Sequence, residues 1–415
     1  MLAATCHVFC TADRLAASYP DTDDMTSLLQ QATGFADQLV ELRRDLHRHP
    51  ELSFREERTA GIAADAVEAL GYRVRRGVGR TGVVADMGTG TPRVALRADM
   101  DALPIQEAGD AAYRSTVAGV MHACGHDAHV AMLVGAARLL AGAQERGELP
   151  GSVRLLFQPS EEASDTEGRS GATRMVEDGA MEGVDAVFGV HVGAHLPFGG
   201  VHISDGPIMA GSDLFTATVH GRSAHAGRPH EGVDAILLAA HAVVACQAGV
   251  ARRISPHEEG VLSIGTIQGG VAENVLAETV TVRGTIRYYE EHVRRTLRDA
   301  LERSFAIAGT MGGRSEIRLM EGYPPVVNHP AMSAVARRAI GAVLGLDIVP
   351  FERMMGAEDF SILAREAPGC FIWLGAALEP PREHHHPRFD IDERVLARGA
   401  AALAACALET MQRRS

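Results

Sequence analysis

The chain has 415 residues, 46% of them hydrophobic and 22% charged, a formal net charge of −13 at neutral pH, and arginine at all 40 of its lysine-plus-arginine positions. That length accommodates two or three domains with a substantial core, while the lack of lysine excludes a P-loop and any chemistry that needs a protein amine, Schiff-base and pyridoxal phosphate catalysis included. An acidic balance without a basic stripe argues against nucleic acid as a partner. Apolar runs such as 235–245, broken by His241, fall short of the roughly 20 residues of a bilayer span, so no membrane partner is expected.

Residues 1–25 carry Cys6, Cys10 and the polar cluster Asp21-Thr22-Asp23-Asp24, without a basic start and a long apolar stretch; they read as a loose extension rather than a signal peptide. Six cysteines without dense, regular spacing make no disulfide framework and favour a cytoplasmic location. From 37 to 70 apolar residues recur at helical spacing around a turn at His49-Pro50-Glu51. Strand-like runs follow at 82–86, 94–98, 153–157, 186–190 and 370–375, with helix-like stretches at 130–143, 172–178 and 331–343. Continuous apolar strands separated by helices indicate an α/β layer with a buried sheet. Between about 211 and 321 the rhythm becomes β-α-β-β-α-β (214–220, 234–250, 260–267, 279–288, 292–308, 315–319), a ferredoxin-like insertion. The expected fold is therefore α/β: a mixed, mostly parallel sheet with flanking helices in a catalytic domain of two parts, 26–207 and 324–415, with an α+β lid at 208–323.

Met121-His122-Ala123-Cys124-Gly125-His126-Asp127-Ala128-His129 puts a thiol, three imidazoles and a carboxylate into nine residues ahead of an apolar helical run. Thiolate and imidazole form the ligand set of borderline-soft divalent ions. Glu161-Glu162 follows the strand 153–157, at the carboxyl end where open α/β sheets bind ligands. Two adjacent acids repel each other unless a cation lies between them; one would hold the metal and the other would take a proton from water. A solvated acidic loop is the plainer alternative, kept open by Asp165 and Glu167 nearby. Asp99 and Asp101 cap the strand 94–98, where a helix N-cap would also explain either one. His191 ends the strand 186–190, and His384-His385-His386 precedes Pro387 in a composition that suits either an exposed turn or metal binding.

Arg97-Ala98-Asp99-Met100-Asp101-Ala102-Leu103-Pro104, His122-Ala123-Cys124-Gly125-His126-Asp127, Gln158-Pro159-Ser160-Glu161-Glu162, Gly189-Val190-His191 and His385-x-Pro387 occur in this order. The set resembles the M20 metallopeptidase family, in particular its amidohydrolase branch of N-acyl-amino-acid, hippurate and indoleacetyl-amino-acid hydrolases, from about residue 37 to the C-terminus. The resemblance implies a zinc-exopeptidase-like catalytic domain and two divalent ions, Mn²⁺ or Zn²⁺ foremost with Co²⁺ or Ni²⁺ also compatible. It implies Cys124, His126, Glu162, His191 and His385 as ligands, Cys124 standing where related peptidases use a bridging aspartate, and Glu161 as general base. The family motif places the ligand two residues before the proline, hence His385 rather than His386. Asp101 is expected to orient a ligand imidazole.

In the lid, the segment Gly221-Arg222-Ser223-Ala224-His225 resembles the family region whose histidine reaches a neighbouring active site across a homodimer, and Asn274 and Arg287 match positions that bind the substrate's backbone and carboxylate. The charged segment 164–170 departs from the glycine-rich stretch common in the family. The expected reaction is metal-dependent hydrolysis of an N-acyl amino acid, with His225 sharing the charge that develops on the carbonyl oxygen. Two rival readings are a thiol amidase with Cys124 as nucleophile beside His126 or His122, and a non-catalytic metal- or ligand-binding relative.

Overall fold

The computed structural model describes residues 22–414. Of the expected extension, residues 1–21 lie outside the described part, and 22–25 are not loose but open the first helix, α1 (Thr22–Gly34). In chain order there follow α2 (Ala36–Arg48), α3 (Glu57–Glu68), β1 (Arg73–Val78), β2 (Gly82–Gly88), β3 (Arg93–Asp99), α4 (His126–Glu145), β4 (Ser152–Gln158), α5 (Gly171–Glu177), β5 (Ala186–Gly193), β6 (Val201–His202) and β7 (Gly206–Met209). The middle of the chain forms β8 (Gly211–His220), α6 (Ala235–Arg253), β9 (Gly260–Gly269), β10 (Thr279–Tyr288), α7 (Glu291–Phe305), the short α8 (Ile307–Thr310) and β11 (Arg314–Glu321). The chain then returns through β12 (Val326–Asn328), α9 (Pro330–Leu344), α10 (Phe360–Glu366), β13 (Gly369–Gly375) and α11 (Val395–Arg414).

The large sheet runs β1-β2-β4-β3-β5-β13-β6. Its four central strands β4, β3, β5 and β13 are parallel, and the pairings outside them are antiparallel. The central strands are buried along nearly their whole length, because α1, α2, α3, α4, α9 and α11 supply apolar partners to one face and α5 and α10 to the other. That two-sided cover is why they read as continuous apolar runs. The register sets Asp99 opposite Gln158 and His191 opposite Trp373, so the carboxyl ends of neighbouring strands lie side by side.

The second sheet, β11-β8-β10-β9, is antiparallel throughout. Its order is that of a ferredoxin-like sandwich, with α6 and α7 packed on one face around Phe215, Val282, Leu297 and Phe305. The opposite, helix-free face carries Ser212, Leu214, Arg287 and Met320 and closes over the large sheet's carboxyl edge. Two tyrosines tie the parts together: Tyr323 Oη donates to the carbonyl of Glu161 at 2.8 Å, and Tyr289 Oη to that of Met354 at 2.8 Å. One expectation needs correcting here. The apolar run at 235–245 does not stop at residue 245; α6 extends it to 19 residues, long and apolar enough by length and composition to cross a membrane. Its inner face packs on α7, β9 and β10, while Ile236, Leu237 and Val244 stay exposed.

Candidate metal centre

The loop between β3 and α4 delivers the thiol and the first imidazole. Gly125 has φ 94°, and a Cβ there would sit 2.5 Å from Val192 Cγ2, so only glycine makes this turn into α4 at His126. His126 is fully buried. Its Nδ1–H donates to the Asp101 carbonyl at 2.9 Å and lies 3.2 Å from Asp101 Oδ1. This fixes the tautomer and leaves Nε2 bare, with no hydrogen-bond partner. Asp101 does more than orient that ring. It also accepts the Ser53 hydroxyl at 2.6 Å and the backbone N–H groups of Glu161 and Glu162 at 3.1 and 3.0 Å. Burial works against the charge, but the hydrogen bonds from His126 and Ser53 outweigh it and hold the carboxyl below its ordinary value.

Around His126 the expected donors converge in two overlapping sets. Cys124, His126 and His191 have ligand atoms within 4.8 Å of one another, and so do Cys124, Glu162 and His385. Cys124 belongs to both, with Sγ 3.6 Å from His191 Nε2. Glu162 Oε1, which makes no hydrogen bond, lies 3.2 Å from His385 Nε2 and 4.0 Å from His126 Nε2. The three consecutive histidines separate cleanly. His384 Nε2 accepts from Ala194 N–H at 3.0 Å, and His386 Nδ1 accepts from Arg388 N–H at 3.1 Å. His385, in the left-handed region at φ 57° and anchored by its N–H to the Ala123 carbonyl at 2.8 Å, is the one turned toward Cys124 and Glu162. His129 is occupied otherwise, donating to Asp99 at 2.6 Å and accepting from Val192 N–H at 3.0 Å.

The titration behaviour follows from negative charge crowded into a dry space. Burial and the neighbouring Glu162 push the Cys124 thiol up. The close approach of Cys124 and Glu162 pushes His385 up to about 10. Burial, reinforced by Glu358, Glu162 and Asp359, raises Glu161 well above the carboxylate range. Unpartnered buried atoms on His126 and Glu162, together with a thiol and imidazoles aimed at the same point, are what a divalent cation requires. The donor set fits such ions.

Beneath Glu161 lies a layer that joins Arg97, Asp99 and Gln158 of the motifs to Glu358 and Asp359, to which no motif pointed. Arg97, 2% exposed, donates to Gln158 at 2.8 Å, Asp99 at 2.7 Å, Glu358 at 2.8 Å and Asp359 at 3.1 Å. Glu358-Asp359 is an adjacent acid pair like Glu161-Glu162, and that shared signature was available in the sequence. Burial pushes Glu358 up to about 8 even against the attraction of Arg97. Trp373 and Tyr323 were likewise missed; neither has a chemical signature until β5, β13 and the lid come together.

These groups line a cavity of about 810 Å³ whose walls include Cys124, Glu161, Glu162, His191, His385 and Arg287. Arg287 is bonded within the lid, to Thr285 and the Ile286 carbonyl. The charged segment 164–170 forms part of the wall, held by Asp165 in ion pairs with Arg80 and, at 2.7 Å, Arg174. His225 and Asn274 do not reach this cavity. They sit together on an exposed part of the lid, linked by the Ala226 N–H to Asn274 carbonyl bond of 3.0 Å.

Residues 95–409 match peptidase family M20/M25/M40. The thermostable carboxypeptidase 2 of Saccharolobus solfataricus is 40% identical over 381 residues, covering 90% of this chain and 95% of that protein. The N-acetyl-L-cysteine deacetylase of Bacillus subtilis is 37% identical over 369 residues, 88% of this chain and 86% of the relative. Among solved structures, the Bacillus subtilis YXEP protein, described as a dinuclear metal-binding peptidase of family M20, superposes with a TM-score of 0.79 at 34% identity, over 91% of this chain and 99% of that one.

Proposed function

This chain belongs to peptidase family M20/M25/M40 and is a hydrolase, and from that premise we propose that it cleaves the amide bond of N-acyl amino acids with the help of two divalent cations. Cys124, His126 and His191 would hold one ion and Cys124, Glu162 and His385 the other, with Mn²⁺ or Zn²⁺ as the ions this mixed sulfur, nitrogen and oxygen set suits first. The convergence of those five side chains beside a sixth, Glu161, that is not needed as a ligand carries the reading. When bound, such a pair of cations acidifies water and polarises the scissile carbonyl.

The chain's own residues supply the rest. Glu161 takes the proton of the attacking water and returns it to the leaving nitrogen. Arg287, on the lid face opposite, pairs with the carboxylate of the amino acid through its planar fork. The acyl group lies along Met209, Leu214, Met320 and Met354, side chains soft enough to take more than one shape. A deacetylase of N-acetyl-L-cysteine among the relatives fits a bond of this kind.

The lid, 208–323 in the proposed division between catalytic parts 26–207 and 324–415, also joins two copies of the chain. Ile236 and Leu237 are about half exposed (48% and 50%), Val244 is 70% and Val271 89% exposed, an apolar surface beside His225 and Asn274 that a second copy would cover. In that dimer His225 of one subunit serves the other's cavity as a donor to the oxyanion.

The thiol-amidase alternative is disfavoured by one observation: burial and Glu162 push the Cys124 thiol up, whereas a nucleophilic thiol is activated by being pushed down. The decisive experiment pairs metal analysis with turnover of an N-acyl amino acid panel. Glu161→Gln should retain cation stoichiometry and lose about 10² to 10⁴ in kcat; chelator should abolish wild-type activity and added cation restore it. An active Glu161→Gln enzyme, or a wild type indifferent to chelator, overturns the proposal.

A further inference from the structure

We propose that Trp373, the one tryptophan in the chain, is a positioning residue for His191 and that its indole reports on cation loading. This inference rests on the metal-centre reading above and adds a residue to it. Parallel pairing of β5 with β13 sets Trp373 opposite His191 in register, which brings both side chains to the same face of the sheet. Their rings stack with centroids 4.5 Å apart and planes 26° from parallel. On the other side of the indole, Phe351 stacks at 5.2 Å and 10°. The edge of His129 meets His191 at 4.6 Å and 68°. His191 is thus held in a column of rings, with the indole between it and Phe351.

The polar restraint on His191 is comparatively thin. Its Nδ1–H donates to the carbonyl of its own chain neighbour, Val192, at 2.8 Å. That bond selects the tautomer that leaves Nε2 to face Cys124 Sγ at 3.6 Å. It does not by itself fix the tilt of the ring. His126, by contrast, is held by Asp101, which Ser53 and two backbone N–H groups hold in turn. A ligand imidazole needs a restraint that sets its orientation, and at His191 the flat face of Trp373 provides it.

The indole's polar edge contributes nothing to this arrangement. Trp373 is 3% exposed and its Nε1–H has no hydrogen-bond partner, although a buried tryptophan usually finds one. What the site uses is the aromatic face, so phenylalanine should substitute for it and an aliphatic side chain should not. Since a cation on His191 Nε2 would lie one ring away from the only indole, tryptophan emission can read its arrival without interference.

The test uses the full chain, stripped with chelator and titrated with Zn²⁺ and separately with Co²⁺, following tryptophan emission and heat of binding together. The expected result is an emission change that saturates with an affinity matching a calorimetric binding step and is lost in His191→Ala. Trp373→Phe should keep near wild-type cation affinity. Trp373→Leu should weaken one of the two binding steps about tenfold or more, the range seen when partners behind metal ligands are removed, with the melting temperature of the metal-free protein measured alongside. Calorimetric binding with unchanged indole emission overturns the proposal even if Trp373→Leu fails to fold, and so does a folded Trp373→Leu protein with wild-type affinity. A wild type that binds neither cation overturns the metal centre itself and this inference with it, a distinguishable outcome.

Discussion

Arg97→Met is the substitution whose cost can be worked out most fully from the structure. The guanidinium pairs with Asp99, Glu358 and Asp359, all of them buried, and methionine fills a similar volume without the charge. Asp99 keeps its bond from His129, and Asp359 keeps those from Gln158 and the Ala172 N–H. Glu358 keeps the Phe360 N–H, at 2.9 Å. Removing one partner of a buried ion pair costs about 3 to 5 kcal/mol. At about 2 to 4 °C per kcal/mol, the melting temperature should fall by roughly 6 to 20 °C.

The pH dependence has a definite sign. Burial opposes the charge on Asp99, but Arg97 together with His126 and His129 holds its folded pKa well below the usual range, so its stabilisation is present above the unfolded value and is lost only as pH falls through that low folded value. Glu358 is already raised to about 8 with Arg97 present, and losing the cation raises it further. A carboxyl with a raised folded pKa costs nothing below its unfolded value of about 4.3 and progressively more up to the folded one, by about 1.4 kcal/mol per unit. Below about pH 8 Glu358 is protonated in both folded proteins, so calorimetric melts at pH 7 and pH 9.5 should show a gap that widens as pH rises through the wild-type value. A penalty below about 1 kcal/mol, where an exposed ion pair would fall, or a gap that fails to widen above about pH 8, refutes the reasoning.

Two more predictions concern the lid. Arg287→Ala should raise KM for N-acyl amino acids about 10-fold or more, since a hydrogen bond to a charged group contributes about 1.5 to 3 kcal/mol, and leave cation affinity alone; an unchanged KM would dissociate Arg287 from the substrate carboxylate. His225→Ala and Glu161→Gln, each nearly inactive alone, should regain activity when unfolded and refolded together. In a mixed dimer one cavity then has an intact Glu161 and receives an intact His225 from the neighbour. No recovery in verified mixed dimers would place His225 outside the partner's chemistry.

What the sequence made legible depended on how each element is buried. β3, β4, β5 and β13 announce themselves as apolar runs because both faces are covered, and the antiparallel insertion through alternation such as that of β8. β1 escaped notice because its Arg73, Arg75 and Arg76 lie at the sheet's edge, where an apolar pattern is not required. α11 escaped for the opposite reason: buried against α1, α4 and α9 on most sides, it shows no amphipathic period over its 20 residues. The same division runs through the site. Cys124, His126, Glu161 and Glu162 sit in compact motifs, whereas Trp373 gains meaning only once strand register sets it against His191.

Asp101 shows why separate motifs can nonetheless be read as one centre. Its carboxylate meets the imidazole of His126 and the backbone N–H groups of both Glu161 and Glu162, residues 25, 60 and 61 positions away in the chain. The spacing between the bare Nε2 of His126 and the two glutamates is thus set by one buried, ionised side chain rather than by three independent loops. A shift of Asp101 would displace an imidazole, a carboxylate and the proposed general base together. Catalysis of the kind proposed tolerates little misplacement of reacting groups, and a single hub couples their positions in a way that a chain of flexible contacts could not.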